Sequence, residues 1–282
     1  MKALPFQIPK PENNALFYQE DKAMIFYDKF HQHDEIQVSY IADGEGTLVV
    51  GDTINYYKKG DLLSIGSNLP HVFKSDRFAC KKSEMITLFF SRDAFGESFF
   101  NLEDFRELKP FFKKVSYGFK YSSKSDELKH LFIQLHSKSK LQRFLILLEI
   151  LKILSKLKTQ PLSSYIQDKK YTDIEGKRMR DVLDYTMRHY HNQISLRDIA
   201  AISAMTKNAF CKYFKKHTNK TYFQFLNELR IEKASKILLM EEVFTIADVS
   251  EKAGFNNISN FNRQFKNIKK MTPSSYRKKK NL

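Results

Sequence analysis

In the stretch GFNNISNFNRQFKNIKKMTPSSYRKKK, residues 254–280, Ile258, Phe261, Phe265 and Ile268 recur at intervals of three and four residues. That period predicts a helix with one apolar stripe, leaving Ser259, Asn262, Arg263, Lys266 and Lys270 on the opposite face. The same order occurs earlier in the chain. Residues 195–214, SLRDIAAISAMTKNAFCKYF, lie over residues 245–265, TIADVSEKAGFNNISNFNRQF, with one extra residue in the second copy. Each copy opens on a hydroxyl residue followed three positions later by Asp, at Ser195/Asp198 and Thr245/Asp248, the reciprocal cap of a helix start. Each then turns, near Ala204 and Met205 or at Gly254, into a helix with Phe at four-residue spacing, Phe210/Phe214 and Phe261/Phe265. Met179, Val182, Leu183, Met187 and Tyr190 predict a supporting helix in front. Ile231, Ala234, Ile237 and Leu238 predict a connecting helix between the copies.

The pattern upstream is different. From about Met24 to Phe90, short β-rich runs such as IQVSYI, GTLVV and DLLSI are punctuated by Gly, Asn and Asp, which predicts a small antiparallel barrel or sandwich. Helices are expected over about 100–158. Within 126–158 there are two stripes, Leu128, Leu131, Phe132 and Leu135, then Leu141, Phe144, Leu145, Leu148, Leu151 and Leu154. A polar stretch with Pro161 and Gly176 reads as a linker over 161–176. The expected class is α+β, with a β-barrel domain at 1–160 and an all-α domain at 177–282.

Charge separates these halves further. Residues 177–282 hold 22 Lys and Arg against 9 Asp and Glu, a balance of +13, whereas the first 176 residues hold 26 against 23, a balance of +3. That distribution fits a polyanion-binding module joined to a nearly neutral domain. The apolar stripes are committed to a core, so nucleic acid is favoured over a membrane surface. Two cysteines, Cys80 and Cys211, are too few for a disulfide framework, and neither a signal-peptide pattern nor a membrane-spanning apolar run is found. A reducing, cytoplasmic setting is expected.

A helix, a tight turn and a basic helix make a helix-turn-helix, whose second helix enters the major groove of DNA. Two such units on one body read adjacent groove segments about 34 Å apart. The recognition helices are expected over about 206–217 and 257–269. At this point the chain resembles a known family. The segments SLRDIA, LNELRIEKASKILL and TIADVSEKAGFNNISNFNRQFKNIKKMTPSSYR look like the DNA-binding domain of AraC/XylS transcription regulators over about residues 177–277. The resemblance implies base-facing positions at Asn208, Cys211 and Lys212 in the first recognition helix. In the second it implies Ile258, Ser259, Asn262 and Arg263. Cys211 is a weak hydrogen-bonding group and Ile258 belongs to the apolar stripe, so either serves packing or a thymine methyl as readily as polar readout. Lys207, Lys215, Lys216, Lys266 and the tail Lys278–Lys280 are expected to hold phosphates.

The segments HQHDEIQVSYIADGEGTLVVGD and KKGDLLSIGSNLPHVF resemble the cupin fold, a common sensor half of such regulators. The expected effector pocket comprises His31, His33, Gln37, His71 and Tyr40, with Phe26, Tyr56, Tyr57 and Phe73 supplying aromatic surface. In metal-binding cupins an H-x-H pair is completed by a Glu four residues on and a later His. Here His71 is the later His, but Gln37 stands at the Glu position, so no cofactor is expected and a metal on His31, His33 and His71 is the alternative. The resemblance also implies a homodimer through helices in 126–158, and RNA polymerase as a partner if the chain activates. No nucleophile with a neighbouring base and no paired-carboxylate spacing points to an enzyme. The expected function is ligand-responsive, sequence-specific binding of double-stranded DNA to regulate transcription. A metal-dependent cupin enzyme and a nonspecific DNA binder with a structural barrel are the alternatives.

Overall fold

A computed structural model describes residues 15–76, 79–122, 126–166, 171–240 and 243–278, and the chain divides between Gly176 and Lys177 into two units. In the first unit, β1 (Leu16–Ala23), β2 (Ile36–Asp43), β3 (Gly46–Val50), β4 (Thr53–Tyr57), β5 (Asp61–Ile65), β6 (His71–Ser75) and β7 (Ser83–Phe90) follow in turn. After α1 (Lys109–Val115) come β8 (Phe119–Ser122), α2 (Asp126–Gln134), α3 (Lys140–Lys156) and the short β9 (Gln160–Pro161). The strands form two antiparallel sheets, ordered β1-β7-β2-β5-β8-β9 and β4-β3-β6. The expected barrel is therefore an open double sheet among the described residues. It also begins earlier than Met24 and recruits β8 from the region read as helical and β9 from the start of the segment read as linker. The strand FKYS follows Gly118, whose φ of +60° turns the chain out of α1.

Strand parity explains why both faces of the larger sheet are apolar. Side chains alternate across a strand, so Ile36, Val38 and Tyr40 join Leu62, Leu88 and Phe90 in one core with Phe132, Leu147, Ile150 and Leu151 of the helices. Ile41, Leu63 and Ile65 face the other way and pack with Leu48, Val50, Tyr57 and Phe73 of the smaller sheet. The segment read as linker is partly built into this unit. Leu162 is fully buried in the second core. The Asp52 carboxylate, itself buried, accepts from Ser163 Oγ at 3.1 Å, Ser164 N at 2.9 Å and the Ser164 hydroxyl.

In α3 the buried face is Leu147, Ile150, Leu151 and Leu154, while Leu141 and Leu145 are 69% and 57% exposed. The stripe expected to run through Leu141 and Leu145 thus divides into a packed face and an uncovered one.

The helix α4 (Asp173–His189) leads into the second unit, which continues with α5 (Leu196–Ile202), α6 (Lys207–Thr218), α7 (Tyr222–Met240), α8 (Ile246–Lys252), α9 (Ile258–Lys269) and α10 (Pro273–Lys278). Lys279 and Lys280 lie outside the described residues. No helix among the described residues is long and apolar enough to cross a membrane.

Candidate DNA interface and sensor cluster

The two repeats coincide hydrogen bond by hydrogen bond. Ser195 and Thr245 accept from the backbone N–H of Asp198 and Asp248, whose carboxylates accept in return from the backbone N–H of Ser195 and Thr245. The Ser195 and Thr245 hydroxyls also donate to these carboxylates at 2.7 Å, and together with the backbone bonds they hold both aspartates below the usual carboxylate range. Both first helices end alike, Met205 N donating to Ala200 O and Phe255 N to Ser250 O, each at 3.0 Å. The turn residues Ala204 and Gly254 both have positive φ, +51° and +87°. The second copy then spends its extra residue before Asn257, which caps α9 by accepting from Ser259 N and Asn260 N, whereas Thr206 caps α6. Both second helices close on left-handed residues, Asn219 and Lys270.

Each second helix is two-faced. On α6, Phe210, Tyr213, Phe214 and His217 are buried and Asn208, Cys211, Lys212, Lys215 and Lys216 are exposed, as is Lys207 at its first position. On α9, Phe261 and Phe265 are buried and Ser259, Asn262, Arg263 and Lys266 are exposed. Phe265 meets Tyr276 edge to face at 5.4 Å, so α10 covers the inner side. Ile258, expected in the apolar stripe, is instead 45% exposed, because it stands in the first turn ahead of the buried pair. Arg263 Nη2 donates to Asn260 Oδ1 at 3.0 Å, which orients its planar fork along the exposed face.

A residue that the sequence pattern did not single out ties the repeats together. Arg230 in α7 is 8% exposed and donates to Tyr190 O at 2.7 Å and Asn192 O at 2.8 Å, with Phe255 beneath its guanidinium at 5.6 Å. Burial lowers its pKa, and the two carbonyls and the aromatic face offset that cost. A charged residue inside the apolar run Leu226, Leu229, Ile231 and Ala234 was the available signal.

In the first unit, His31, His33 and His71 are all buried, and a ring nitrogen of each lies within 4.8 Å of one from both others. His31 and His71 are fixed by reciprocal backbone hydrogen bonds of 3.0 and 2.9 Å. Gln37 joins them, its Oε1 3.2 Å from His33 Nε2 and its Nε2 donating to Ser39 Oγ at 2.9 Å. Tyr40 does not. It lies on the other face of β2, stacked on Phe132 at 5.9 Å, because its position differs in parity from Gln37. Phe26, Tyr57 and Phe73 pack against one another at 5.4–5.9 Å as core. Between the first two histidines, buried Gln32 faces the backbone of Tyr171, its Nε2 3.4 Å from the carbonyl and its Oε1 3.5 Å from the N–H. These long, paired contacts set the His31–His33 segment against Tyr171, close to the end of the first unit.

Comparison with known proteins agrees with this division. The AraC-like ligand binding domain family matches residues 14–151, and a helix-turn-helix domain family matches residues 199–279. The uncharacterized HTH-type transcriptional regulators YdeC and YobQ of Bacillus subtilis are 36% and 33% identical over 105 and 93 residues, 37% and 33% of this chain. The chain covers 36% and 38% of the length of these two relatives. Among solved structures, ToxT of Vibrio cholerae O395 is 14% identical over 93% of this chain and 97% of its own, at a TM-score of 0.37. A protein from Listeria innocua is 26% identical over 36% of this chain and 94% of its own, at 0.34. With an AraC-like ligand binding domain followed by a helix-turn-helix domain, the chain belongs to the AraC/XylS regulator family.

Proposed function

We propose that this chain is a ligand-responsive transcription regulator that binds specific sequences in double-stranded DNA through α6 and α9. The observation that carries the reading is the repeat itself: two copies of one capped helix, turn and helix, each presenting amide and cationic side chains outward from a phenylalanine-packed inner face. Asn208, Cys211, Lys212, Ser259, Asn262 and Arg263 are assigned to base edges, with Ile258 suited by its exposure to a thymine methyl. Lys207, Lys215, Lys216 and Lys266 are assigned to phosphates. The sensing domain is assigned to residues 1–160 and the DNA-binding domain to 177–282.

The same reading makes the first unit the effector-binding half, with its pocket around His31, His33, Gln37 and His71. To act as a switch the effector must bind two states of the protein unequally. The contact between Gln32 and Tyr171 supplies a route, since a ligand held by the flanking histidines bears directly on the segment that faces Tyr171 near the end of the first unit. The uncovered Leu141 and Leu145 support dimerisation through α3. RNA polymerase becomes a partner if the outcome is activation.

Selection of bound sequences from a random DNA pool tests this reading, using the purified full-length protein at near-physiological salt. A motif of two blocks about one helical turn apart is expected. Enrichment of no motif, together with equal affinity for all sequences, would favour nonspecific binding instead.

A further inference from the structure

The connecting helix α7 serves a different core at each end. Tyr222 packs on Phe210 and Phe214 of α6 at 5.6 and 5.5 Å, and Phe225 packs on Phe214 at 5.7 Å. Further along, Ile231, Ala234 and Leu238 join Val249, Phe255, Phe261 and Phe265 of the second copy. Burial of apolar surface is non-directional, so it leaves the rotation of each copy about α7 to be set by directional contacts.

Such contacts gather on residues 190–193, which lead from α4 into the first copy's cap at Ser195. The buried Arg230, in the middle of α7, places Nε on Tyr190 O at 2.7 Å and Nη2 on Asn192 O at 2.8 Å. Its guanidinium also lies 5.6 Å from the ring of Phe255, in the turn of the second copy. One planar fork therefore touches the entry to the first copy and the turn of the second, and its two donors cannot shift independently. A second bond crosses beside it, Gln193 Nε2 donating to Asn256 Oδ1 at 2.7 Å. Between the two, Gly254 brings the second turn so close that a Cβ there would lie 2.6 Å from Tyr190 O and 2.9 Å from His191 O.

We infer that Arg230 and the Gln193–Asn256 pair are positioning residues that fix the rotation of α9 relative to α6, and through it the spacing of the two DNA blocks that the protein accepts. The inference rests on the two-block reading above. One base pair added or removed between the blocks moves one of them about 3.4 Å along the duplex and about 34–36° around it. A seam of directional hydrogen bonds resists that rotation, whereas apolar packing alone would follow it. None of the three side chains is assigned to DNA, so their effect on sequence preference passes through α6 and α9.

The test compares the full-length parent with Arg230→Lys, which keeps the charge but lacks the fork, and with the double variant Gln193→Ala/Asn256→Ala. Affinity is measured for the selected two-block DNA, for the same DNA with one base pair added or removed between the blocks, and for DNA with one block scrambled. In the parent, the one-base-pair change should weaken binding at least about tenfold. In each variant that penalty should shrink at least about threefold, with affinity for one-block DNA within about twofold of the parent. A protein that was merely less stable would lose affinity for every DNA alike and leave the penalty unchanged. An unchanged penalty in Arg230→Lys would overturn the role of Arg230, and one in the double variant would overturn that of the pair. Gln193 and Asn256 are exposed, so the double variant decides the matter if Arg230→Lys folds poorly. A parent that selects no two-block motif would overturn the proposed function and this inference together, whereas a spacing penalty identical in parent and variants would overturn this inference alone.

Discussion

Ala204 and Gly254 hold the same place in successive copies of one motif, and only the first has room for a side chain. Both adopt positive φ, yet a Cβ at Gly254 would lie 2.6 Å from the Tyr190 carbonyl oxygen and 2.8 Å from His191 Cα. That carbonyl is also the acceptor for Arg230, so the second turn, the end of α4 and the middle of α7 meet at one point. Gly254→Ala should therefore destabilise the full-length protein by more than the 1–2 kcal/mol of left-handed strain alone, and Ala204→Gly should change stability by no more than about 1 kcal/mol. Urea unfolding of the two variants beside the parent measures both.

This difference shows which features the sequence made legible. The repeat was readable because capping boxes and Phe at four-residue spacing are local patterns, and both capping boxes form where Ser195/Asp198 and Thr245/Asp248 stand. Arg230 was not, since its partners are carbonyls about 40 residues away that carry no side-chain signature. In the first unit, the histidine group could be assembled from H-x-H spacing and a later His. Tyr40 was grouped with the pocket as a nearby aromatic, although it stands three positions from Gln37 in β2 and strand alternation puts the two on opposite faces. The strand β8, in the region read as helical, and the anchoring of Ser163 and Ser164 by Asp52, in the segment read as linker, both depend on pairing across distant segments.

The proposed interface assigns base readout and phosphate contact to different residues of α9. Arg263→Ala should cost about 1–3 kcal/mol on the selected site and relax preference at one base pair, whereas Lys266→Ala should weaken selected and random DNA about equally. Competition binding with single-base variants of the site distinguishes them.

Leu141 and Leu145 are one turn apart on an uncovered face of α3. Replacing both by Glu places two charges in any interface built on that face. The proposed dimerisation through α3 predicts that the parent sediments as a dimer and that the double variant, still folded, sediments as a monomer at the same concentration. Analytical ultracentrifugation checks the shift.

The two capping boxes predict a pH dependence. Hydrogen bonds from Ser195 and Thr245 hold Asp198 and Asp248 below the usual carboxylate range in the folded protein. A group whose folded pKa is depressed contributes stability above its unfolded pKa and loses it as pH falls through the folded value. The urea midpoint should therefore drop from about pH 5 to about pH 3, and drop less in Asp198→Asn/Asp248→Asn, whose caps no longer titrate.

The central claim is that α6 and α9 read two groove segments at a fixed separation, and spacing tests it most directly. Inserting about five base pairs, half a helical turn, between the two blocks of the selected motif turns one block to the opposite side of the duplex. The account predicts that affinity falls toward the nonspecific level, a loss of about a thousandfold or more. Affinity unchanged by the insertion would contradict it.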